Sequence, residues 1–224
     1  DMWRRMIELL AEAEADPNVR LLIVTGEGKA FAAGADIDEM KAVFKRPETA
    51  TTIAEVTYES QKALHRFPKP TIAMIRGACV GGGCGIALCC DLRFADSSAK
   101  IGITPGKLGL IYSLADTKRL VDAVGASSAK DILYTGRIIG ADEAHKLGLV
   151  DRLVEDGTLE SEVQIFADQI CASSQFSAES AKRVVHMILN GAADDTADTR
   201  DLFVKSFSGE DFREGFEAFA EKRT

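Results

Sequence analysis

Hydrophobic positions at helical spacing open the chain, and short apolar runs follow them. A predicted first helix carries four apolar residues on one face, Trp3, Met6, Ile7 and Leu10. It ends at Asp16-Pro17, because proline cannot continue a helix and restricts the residue before it. Arg20 to Thr25 predicts a strand buried on both faces, since its middle is apolar throughout. A helix from about Ile53 to Arg66 and a strand at Thr71 to Ile75 come next.

Three consecutive glycines mark the middle of the chain. Ala78 to Asp91 predicts a loop, then Gly81-Gly82-Gly83 (here the glycine turn), then a short apolar helix. Strands are predicted at Asp91 to Ala95 and at Lys100 to Ile103, and a rigid loop at Thr104-Pro105-Gly106. The pattern therefore alternates strands with helices around the glycine turn.

The second half continues the alternation and then becomes helical. Ser113 and Asp116 have the spacing of a capping box, and they begin a helix that Gly125 ends. A helix at about 128–135 and a strand at 137–139 follow, then a helix that Gly148 ends and a strand at 149–154. From Leu159 onward the pattern predicts only helices, three or four of them. The sequence thus predicts an α/β fold, with a core at 1–157 and a helical C-terminal region at 158–224.

Composition and charge argue against several kinds of partner. The chain has 224 residues, 46% hydrophobic and 28% charged, with a net charge of −8, which argues against nucleic acid or an anionic membrane. Its longest apolar runs, such as Ile86 to Cys90, are too short to cross a bilayer. Five cysteines without a C-x-x-C pair indicate buried thiols in a reducing cytoplasm, neither disulfides nor metal ligands.

The chain does not match several familiar catalytic and phosphate-binding motifs. The dinucleotide pattern G-x-G-x-x-G places Ile86 where its last glycine belongs, and the phosphate loop G-x-x-x-x-G-K-[ST] is one residue short at Gly102 to Lys107. A G-x-S-x-G nucleophile elbow is absent. The three histidines fall on predicted helices away from the glycine-rich loops, and we interpret them as surface or packed residues, His65, His145 and His186. Serine–histidine hydrolysis therefore has no support.

The glycine turn itself admits two interpretations. A helix that begins in bare backbone presents unpaired N–H groups and about half a positive charge. With a second N–H from the loop Ala33-Gly34-Ala35, it could form an oxyanion hole, in which each donor contributes about 3 kcal/mol to the transition state. The other interpretation is close packing, for which glycine merely lets backbones approach. The glycines alone favour neither interpretation.

Several segments, taken in chain order, form a recognisable set. They are Phe31 to Ile37, Gly77 to Gly83, Cys90 to Leu92, Gly140-Ala141 with Ala144, Gly148 to Val150, and Glu214-Gly215 with Phe219 and Glu221 to Arg223. Together they span nearly the whole chain and resemble the crotonase (enoyl-CoA hydratase/isomerase) family. The resemblance implies a spiral of ββα units followed by a helical region used for assembly as a homotrimer or a dimer of trimers. It also implies an acyl-CoA thioester as substrate, whose coenzyme A is part of that substrate, and no separate cofactor.

The resemblance assigns roles to particular residues. Backbone N–H groups of Ala35 and Gly82 would hold the thioester oxygen as it becomes an enolate. Further substrate contacts are expected from the same two loops, the pocket wall and the C-terminal helices, at Ala33, Asp36, Ile37, Gly81, Pro105, Leu108, Phe203 and Lys222. The last two match positions that reach the coenzyme, often across a subunit interface. Asp1 opens directly onto a helix, so we expect the family's first strand and its CoA-contacting loop to precede it.

The chain departs from the family's hydratases at two positions. Two glutamates that handle water are replaced by Gly85 and Pro105, and neither residue can exchange a proton. The nearest carboxylates, Asp36 and Asp116, are expected to cap helices. The resemblance therefore implies a lyase or isomerase that stabilises an enolate, through decarboxylation, isomerisation or another base-poor step.

The loop that follows Thr104 is similar to that of methylmalonyl-CoA decarboxylase, a family member. The matching residue there is a tyrosine, equivalent to Tyr112, which faces the carboxylate that is lost. Two positions differ, because that decarboxylase has histidine at Ala35 and glutamate at Gly85. Tyr112 is then either a catalytic group or an aromatic of the pocket wall. A subunit that binds acyl-CoA without catalysis is the alternative from another class of function.

Overall fold

Short strands and connecting helices alternate along the chain, as the sequence predicts for an α/β fold. The structure is a computed structural model, and it describes residues 2–34, 41, 45–46 and 48–223. The strands are β1 Leu22–Thr25, β2 Thr71–Ile75, β3 Ala78–Val80, β4 Leu92–Ala95, β5 Lys100–Gly102, β6 Ile138–Gly140 and β7 Arg152–Leu153. The helices are α1 Met2–Ala15, α2 Thr49–Arg66, α3 Gly82–Cys89, α4 Leu114–Thr135, α5 Ala141–Leu147, α6 Leu159–Ala172, α7 Gln175–Leu189, α8 Ala197–Ser206 and α9 Glu210–Glu221, with a 3₁₀ helix at Pro105–Leu108.

The strands form two small sheets that the chain visits in turn. One sheet is parallel, with the order β1-β2-β4-β7, and the other has the order β3-β5-β6 with β6 antiparallel. Successive units β2-β3-α3 and β4-β5-α4 each place one strand in each sheet. Gly77 makes the first crossing at a φ of 55°, and a Cβ there would overlap the carbonyl oxygen of Lys29. The repeated ββα unit confirms the predicted architecture.

Helix α3 lies in the centre of the core. Its residues from Gly83 to Cys89 are all buried, as an apolar helix without a polar face requires. A second cluster forms where α6 packs on the parallel sheet, through Leu159 and Val163 against Ile72 and Phe94. The first C-terminal helix is therefore part of the layer that covers the sheet, and the division at 157/158 stays a prediction. No helix among the described residues is long and apolar enough to span a membrane.

Two sequence-based expectations about strands were wrong. Strand β1 is not buried on both faces: its residues alternate between half-buried and exposed, and Ile23 is 39% exposed. Among the described strands it pairs only with β2. Ala78–Val80 was expected to be a loop but pairs with β5, a three-residue strand being too short to show a period.

The helix boundaries agree better with the sequence-based expectations than the strands do. Helix α1 ends at Ala15, just before Asp16-Pro17. The Ser113 hydroxyl caps α4 by accepting the Asp116 N–H at 3.0 Å. Gly125 interrupts α4 with a φ of 76°, and this break matches the predicted helix end.

Candidate active site

The glycine turn lies where β3 gives way to α3. Gly81 precedes the helix at φ 57° and ψ −117°, a conformation that needs glycine, and its N–H donates to the Gly102 carbonyl at 2.8 Å. The N–H of Gly82 comes next, at the first helical position, and no carbonyl of its own helix is available to accept it. A side chain there would be 3.8 Å from the Trp3 ring, an ordinary contact. Gly82 therefore opens the positive end of α3.

The loop before Ala35 lies directly against this turn. Ala32 bridges to β3, accepting the Val80 N–H at 2.9 Å and donating its own N–H to Ala78 at 2.9 Å. A Cβ on Gly83 would be 2.5 Å from the Ala32 carbonyl oxygen, and a Cβ on Gly81 would be 3.9 Å from the Gly34 Cα. Both interpretations of the glycines thus apply, to different residues: Gly83 allows close packing, whereas Gly82 leaves its N–H open.

Some of the expected site residues cannot be placed. Ala35, Asp36 and Ile37 lie outside the described residues, so the second oxyanion donor, the CoA contacts there and the cap expected of Asp36 stay predictions. Ala33 and Gly34 are described, and both are exposed beside the glycine turn. The structure therefore fixes the start of that loop, just after the bridge between Ala32 and β3.

Tyr112 reaches the same end of α3 from the segment before α4. Its hydroxyl donates to the Gly81 carbonyl at a long 3.4 Å, and its ring packs against the core. Burial raises the pKa of Tyr112 well above its usual range, and the nearby thiol of Cys84 and carboxylate of Asp116 raise it further. The phenol is therefore neutral at any ordinary pH and can donate a hydrogen bond.

A polar cluster surrounds Gly85, one turn along α3. The point at which a Cβ of Gly85 would stand is 2.5 Å from Gln61 Nε2, 3.2 Å from the Tyr112 hydroxyl and 3.3 Å from Asp116 Oδ1. Asp116 is ion-paired with Arg119 at 2.7 Å, and both side chains are about 10% exposed. Its second oxygen accepts the Ser113 hydroxyl at 2.6 Å. Asp116 is thus a buried ion-pair partner as well as part of the helix cap.

The pocket wall beside Tyr112 is mostly apolar. A cavity of about 240 Å³ lies between the 3₁₀ helix and α4, and its lining includes Pro105, Leu110, Ile111 and Tyr112. Leu108 is 70% exposed on the 3₁₀ helix. Pro105 and Tyr112 therefore line the same cavity, and their roles as substrate contacts stay predictions.

The C-terminal candidates lie in a different environment. Phe203 is 67% exposed, and its ring meets Phe207 edge-on at 5.2 Å. Lys222 ends α9 in the left-handed conformation, at φ 57°. Among the described residues, neither makes a hydrogen bond or ring contact with the glycine turn. The contacts with the coenzyme that are expected of Phe203 and Lys222 stay predictions.

Cysteines and histidines contribute no nucleophile or base here. Burial raises the pKa of Cys89 to about 12 and that of Cys90 further still, so these thiols stay protonated. His65 and His186 stack on each other at 4.6 Å in a cavity of about 380 Å³ between α4 and α7, at the far end of α3. His145 Nδ1 lies 3.0 Å from the Val150 carbonyl oxygen. No three metal-ligating side chains converge in the described part of the chain.

Comparison with known proteins agrees with this geometry. The family model for enoyl-CoA hydratase/isomerase matches residues 1–224. The chain belongs to the enoyl-CoA hydratase/isomerase family. An enoyl-CoA hydratase/isomerase family protein of Hyphomonas neptunium is 46% identical, with a TM-score of 0.96 over 100% of this chain and 86% of its own. The crotonyl-CoA hydratase of Syntrophomonas wolfei is 38% identical over 93% of this chain and 80% of its own length. An enoyl-CoA hydratase of Bacillus anthracis is 32% identical, with a TM-score of 0.89 over 100% of this chain and 86% of its own.

Membership of the enoyl-CoA hydratase/isomerase family agrees with the observed fold. Sequence reasoning missed two residues of the polar cluster, Gln61 and Arg119. Arg119 follows Asp116 by three residues, a helical spacing that could have predicted the pair. Gln61 lies on α2, and nothing in the sequence signals that it approaches Gly85.

Proposed function

We propose that this chain is an acyl-CoA-processing enzyme that stabilises a thioester enolate without the two hydratase glutamates. The N–H of Gly82 and, across the turn, that of Ala35 would form the oxyanion hole. The observation that carries the proposal is the open first N–H of α3, with the loop at Ala32 held against it by backbone hydrogen bonds. Two such donors placed before the reaction begins are worth several kcal/mol when charge moves onto the thioester oxygen.

Ordinary hydration fits this site poorly. It requires groups that position and deprotonate a water, and the two expected positions hold Gly85 and Pro105. The carboxylate that does come near, Asp116, is committed to Arg119 and Ser113. Tyr112 stays protonated, so it acts as a hydrogen-bond donor rather than a base. Isomerisation, decarboxylation or another base-poor step suits these groups better.

Decarboxylation is the second, more specific candidate, and Tyr112 favours it. The bond between the α-carbon and the carboxylate breaks, carbon dioxide leaves, and the electron pair moves into the enolate held by Gly82 and Ala35. A proton from water then restores the α-carbon. Tyr112 would orient the departing carboxylate through its hydroxyl, which lies beside the glycine turn. No base is needed, which matches the site.

The rest of the ligand site is proposed to be completed by neighbours in a homotrimer or dimer of trimers. Ala33, Asp36 and Ile37 would lie along the CoA moiety, while Phe203 and Lys222 of an adjacent subunit would reach its adenine and phosphates. No further cofactor is needed for the proposed step. We place the enzyme in the cytoplasm, where the free thiols, four of them buried, would stay reduced.

A proline at position 82 tests the oxyanion hole directly. Gly82→Pro removes the N–H at the first helical position, which tolerates proline, and Gly82→Ala keeps it. With product formation followed by mass spectrometry on malonyl-, methylmalonyl-, 2-enoyl- and 3-enoyl-CoA, we expect Gly82→Pro to lower kcat about 100- to 1000-fold relative to Gly82→Ala. Equal rates for the two variants would exclude Gly82 as a donor.

The same panel separates the candidate reactions. Loss of carbon dioxide, slowed in Tyr112→Phe, would support the decarboxylase, whereas a shifted double bond would support the isomerase. Hydration of crotonyl-CoA at rates normal for hydratases would refute the base-poor assignment. Thermal stabilisation by CoA esters without any turnover would favour a non-catalytic acyl-CoA-binding subunit.

A further inference from the structure

Gln61 fills the space that a side chain at position 85 would occupy. Its Nε2 is 2.5 Å from the Cβ point of Gly85, closer than real Cβ contacts come. Gln61 is 4% exposed, so it cannot swing out into solvent without breaking the packing of α2 on α3. A polar side chain from α2 has thus taken the place of a polar side chain from α3.

The amide of Gln61 has a defined orientation. Its Oε1 lies 3.5 Å from an Nη of Arg119, and because a guanidinium can only donate, the oxygen must be the atom that faces it. The N–H₂ end is then directed toward Gly85. Arg119 is itself fixed by its ion pair with Asp116. The buried pair therefore holds the Gln61 amide with its donors toward α3.

The position of Gln61 relative to the oxyanion hole corresponds to a specific part of an acyl group. Gly85 follows Gly82 by three residues, so both lie on one face of α3, about 4.5 Å apart along its axis. Tyr112 connects them, since its hydroxyl is 3.4 Å from the Gly81 carbonyl oxygen and 3.2 Å from the Cβ point of Gly85. A thioester oxygen held at Gly82 would direct the third acyl carbon toward Gln61 and Tyr112.

We propose that Gln61 is a specificity-determining residue, and that its amide N–H selects acyl-CoA thioesters with a hydrogen-bond-accepting oxygen on the third acyl carbon. The proposal rests on the oxyanion hole at Gly82 proposed above. Where a carboxylate would repel such an oxygen, this site presents a neutral donor, Gln61 Nε2, beside the Tyr112 hydroxyl. The negative charge of Asp116 is balanced by Arg119, so it does not oppose the acceptor.

Two probe thioesters of matched chain length test this selectivity. Acetoacetyl-CoA carries an oxygen on the third carbon, and butyryl-CoA does not. By calorimetry on the full chain, we expect the wild type to bind acetoacetyl-CoA about five- to tenfold more tightly, the range that one hydrogen bond supplies. Gln61→Met, similar in size and without donors, should bring the two dissociation constants within about twofold while butyryl-CoA binding is retained.

Two further variants keep the test decisive. Ser60→Ala, next to Gln61 on α2 and bonded only to the Trp3 carbonyl, should keep the wild-type ratio. If Gln61→Met fails to fold, Gln61→Glu preserves size and polarity but replaces the donor with a charge, and it should lower the ratio below that of the wild type.

Each outcome has a distinct meaning. An unchanged ratio in the Gln61 variants, or no preference in the wild type, overturns the assignment of Gln61 while leaving the oxyanion hole intact. Failure of both esters to bind the wild type would instead refute the proposed function, and the specificity assignment with it.

Discussion

Gly83 and Ala32 are in contact so close that no side chain fits between them. A Cβ at residue 83 would be 2.5 Å from the Ala32 carbonyl oxygen and 2.6 Å from the Ala32 Cβ. The Ala32 carbonyl is already fixed, because it accepts the Val80 N–H at 2.9 Å. The contact sets how near the loop before Ala35 lies to the first turn of α3, and so sets the width of the proposed oxyanion hole.

Gly83→Ala should therefore destabilise the protein and impair its site. The new methyl group must displace backbone rather than a flexible side chain, which costs about 1–3 kcal/mol. The higher helix propensity of alanine offsets up to about 1 kcal/mol of this. We expect a lower free energy of unfolding in urea and a larger fractional loss of turnover, because the loop moves away from Gly82.

Gly82→Ala is the matched control for this substitution. Its Cβ would be 3.8 Å from the Trp3 ring, and its backbone is not in the left-handed region. Stability should be equal to or slightly above that of the wild type. If Gly83→Ala were as stable and active as Gly82→Ala, the contact with Ala32 would not set the loop position.

Removing one partner of the buried ion pair between Asp116 and Arg119 should lower the free energy of unfolding strongly, whereas replacing both with apolar residues should not. Asp116→Leu leaves a buried guanidinium without its partner, and we expect a loss of about 3–5 kcal/mol in the free energy of unfolding. The double variant Asp116→Leu/Arg119→Met should recover most of that loss, because neither charge then remains buried. Urea unfolding of the wild type, both single variants and the double variant measures the coupling energy.

A small decrease in the free energy of unfolding of the single variants would contradict a tightly buried ion pair. The double variant also separates stability from specificity, since it removes the group that orients Gln61. It should fold, yet lose the preference for acetoacetyl-CoA over butyryl-CoA.

Local signals predicted the helices of this fold better than the contacts of its site. Asp16-Pro17, Ser113 and Gly125 each act within a few residues, and each ends or begins a helix where expected. β1 was misjudged because its apolar run says nothing about which strand lies beside it. Helix periodicity carries no such information either.

The residues of the candidate site also differ in whether local sequence signals predicted them. Gly82 and Tyr112 were predicted from a local turn and a local resemblance, and the structure brings both to one end of α3. Gln61 depends on how α2 packs on α3, and 24 residues separate it from Gly85 along the chain. The absence of a glutamate at residue 85 was visible in the sequence, but what fills its space was not.

Stability should fall with acidification because His65 is buried neutral. Burial, the facing imidazole of His186, and the charges of Arg119 and Lys182 lower the pKa of His65 from 6.5 to about 4, with only Asp91 opposing them. Between these two values the unfolded chain binds more protons than the folded one, so the free energy of unfolding falls as pH drops from about 6.5 toward 4. Because His65 is partly exposed, its total contribution to this change in the free energy of unfolding is about 1–2 kcal/mol.

Urea unfolding at intervals from pH 7.5 to pH 5 measures this slope. His65→Gln should flatten it, because glutamine has no proton to bind in either state. An equally steep slope in His65→Gln would assign the acid sensitivity to carboxylates instead. The pKa of His186 is also lowered by burial, so the double variant His65→Gln/His186→Gln should be flatter still.

A row of phenylalanines on α8, directly after it and on α9 predicts that this region assembles with other copies of the chain. Neighbouring rings lie 5.2 to 6.2 Å apart, and each is between 46% and 67% exposed, from Phe203 through Phe207 and Phe212 to Phe216. Such a patch is costly to leave in water. Phe207→Asp/Phe212→Asp should therefore convert the proposed trimer into monomers in sedimentation velocity, whereas Phe212→Tyr, which keeps the ring, should stay trimeric.

Assembly and ligand binding should then fail together in the charged variant. If Phe203 and Lys222 contact the coenzyme from an adjacent subunit, the monomer keeps Gly82 and Tyr112 but loses the far end of its ligand site. We expect its affinity for butyryl-CoA to fall at least tenfold, with its helical circular dichroism unchanged, since α8 and α9 contain no buried residues. Monomers that bind butyryl-CoA as tightly as the trimer would show that each chain holds the whole thioester by itself.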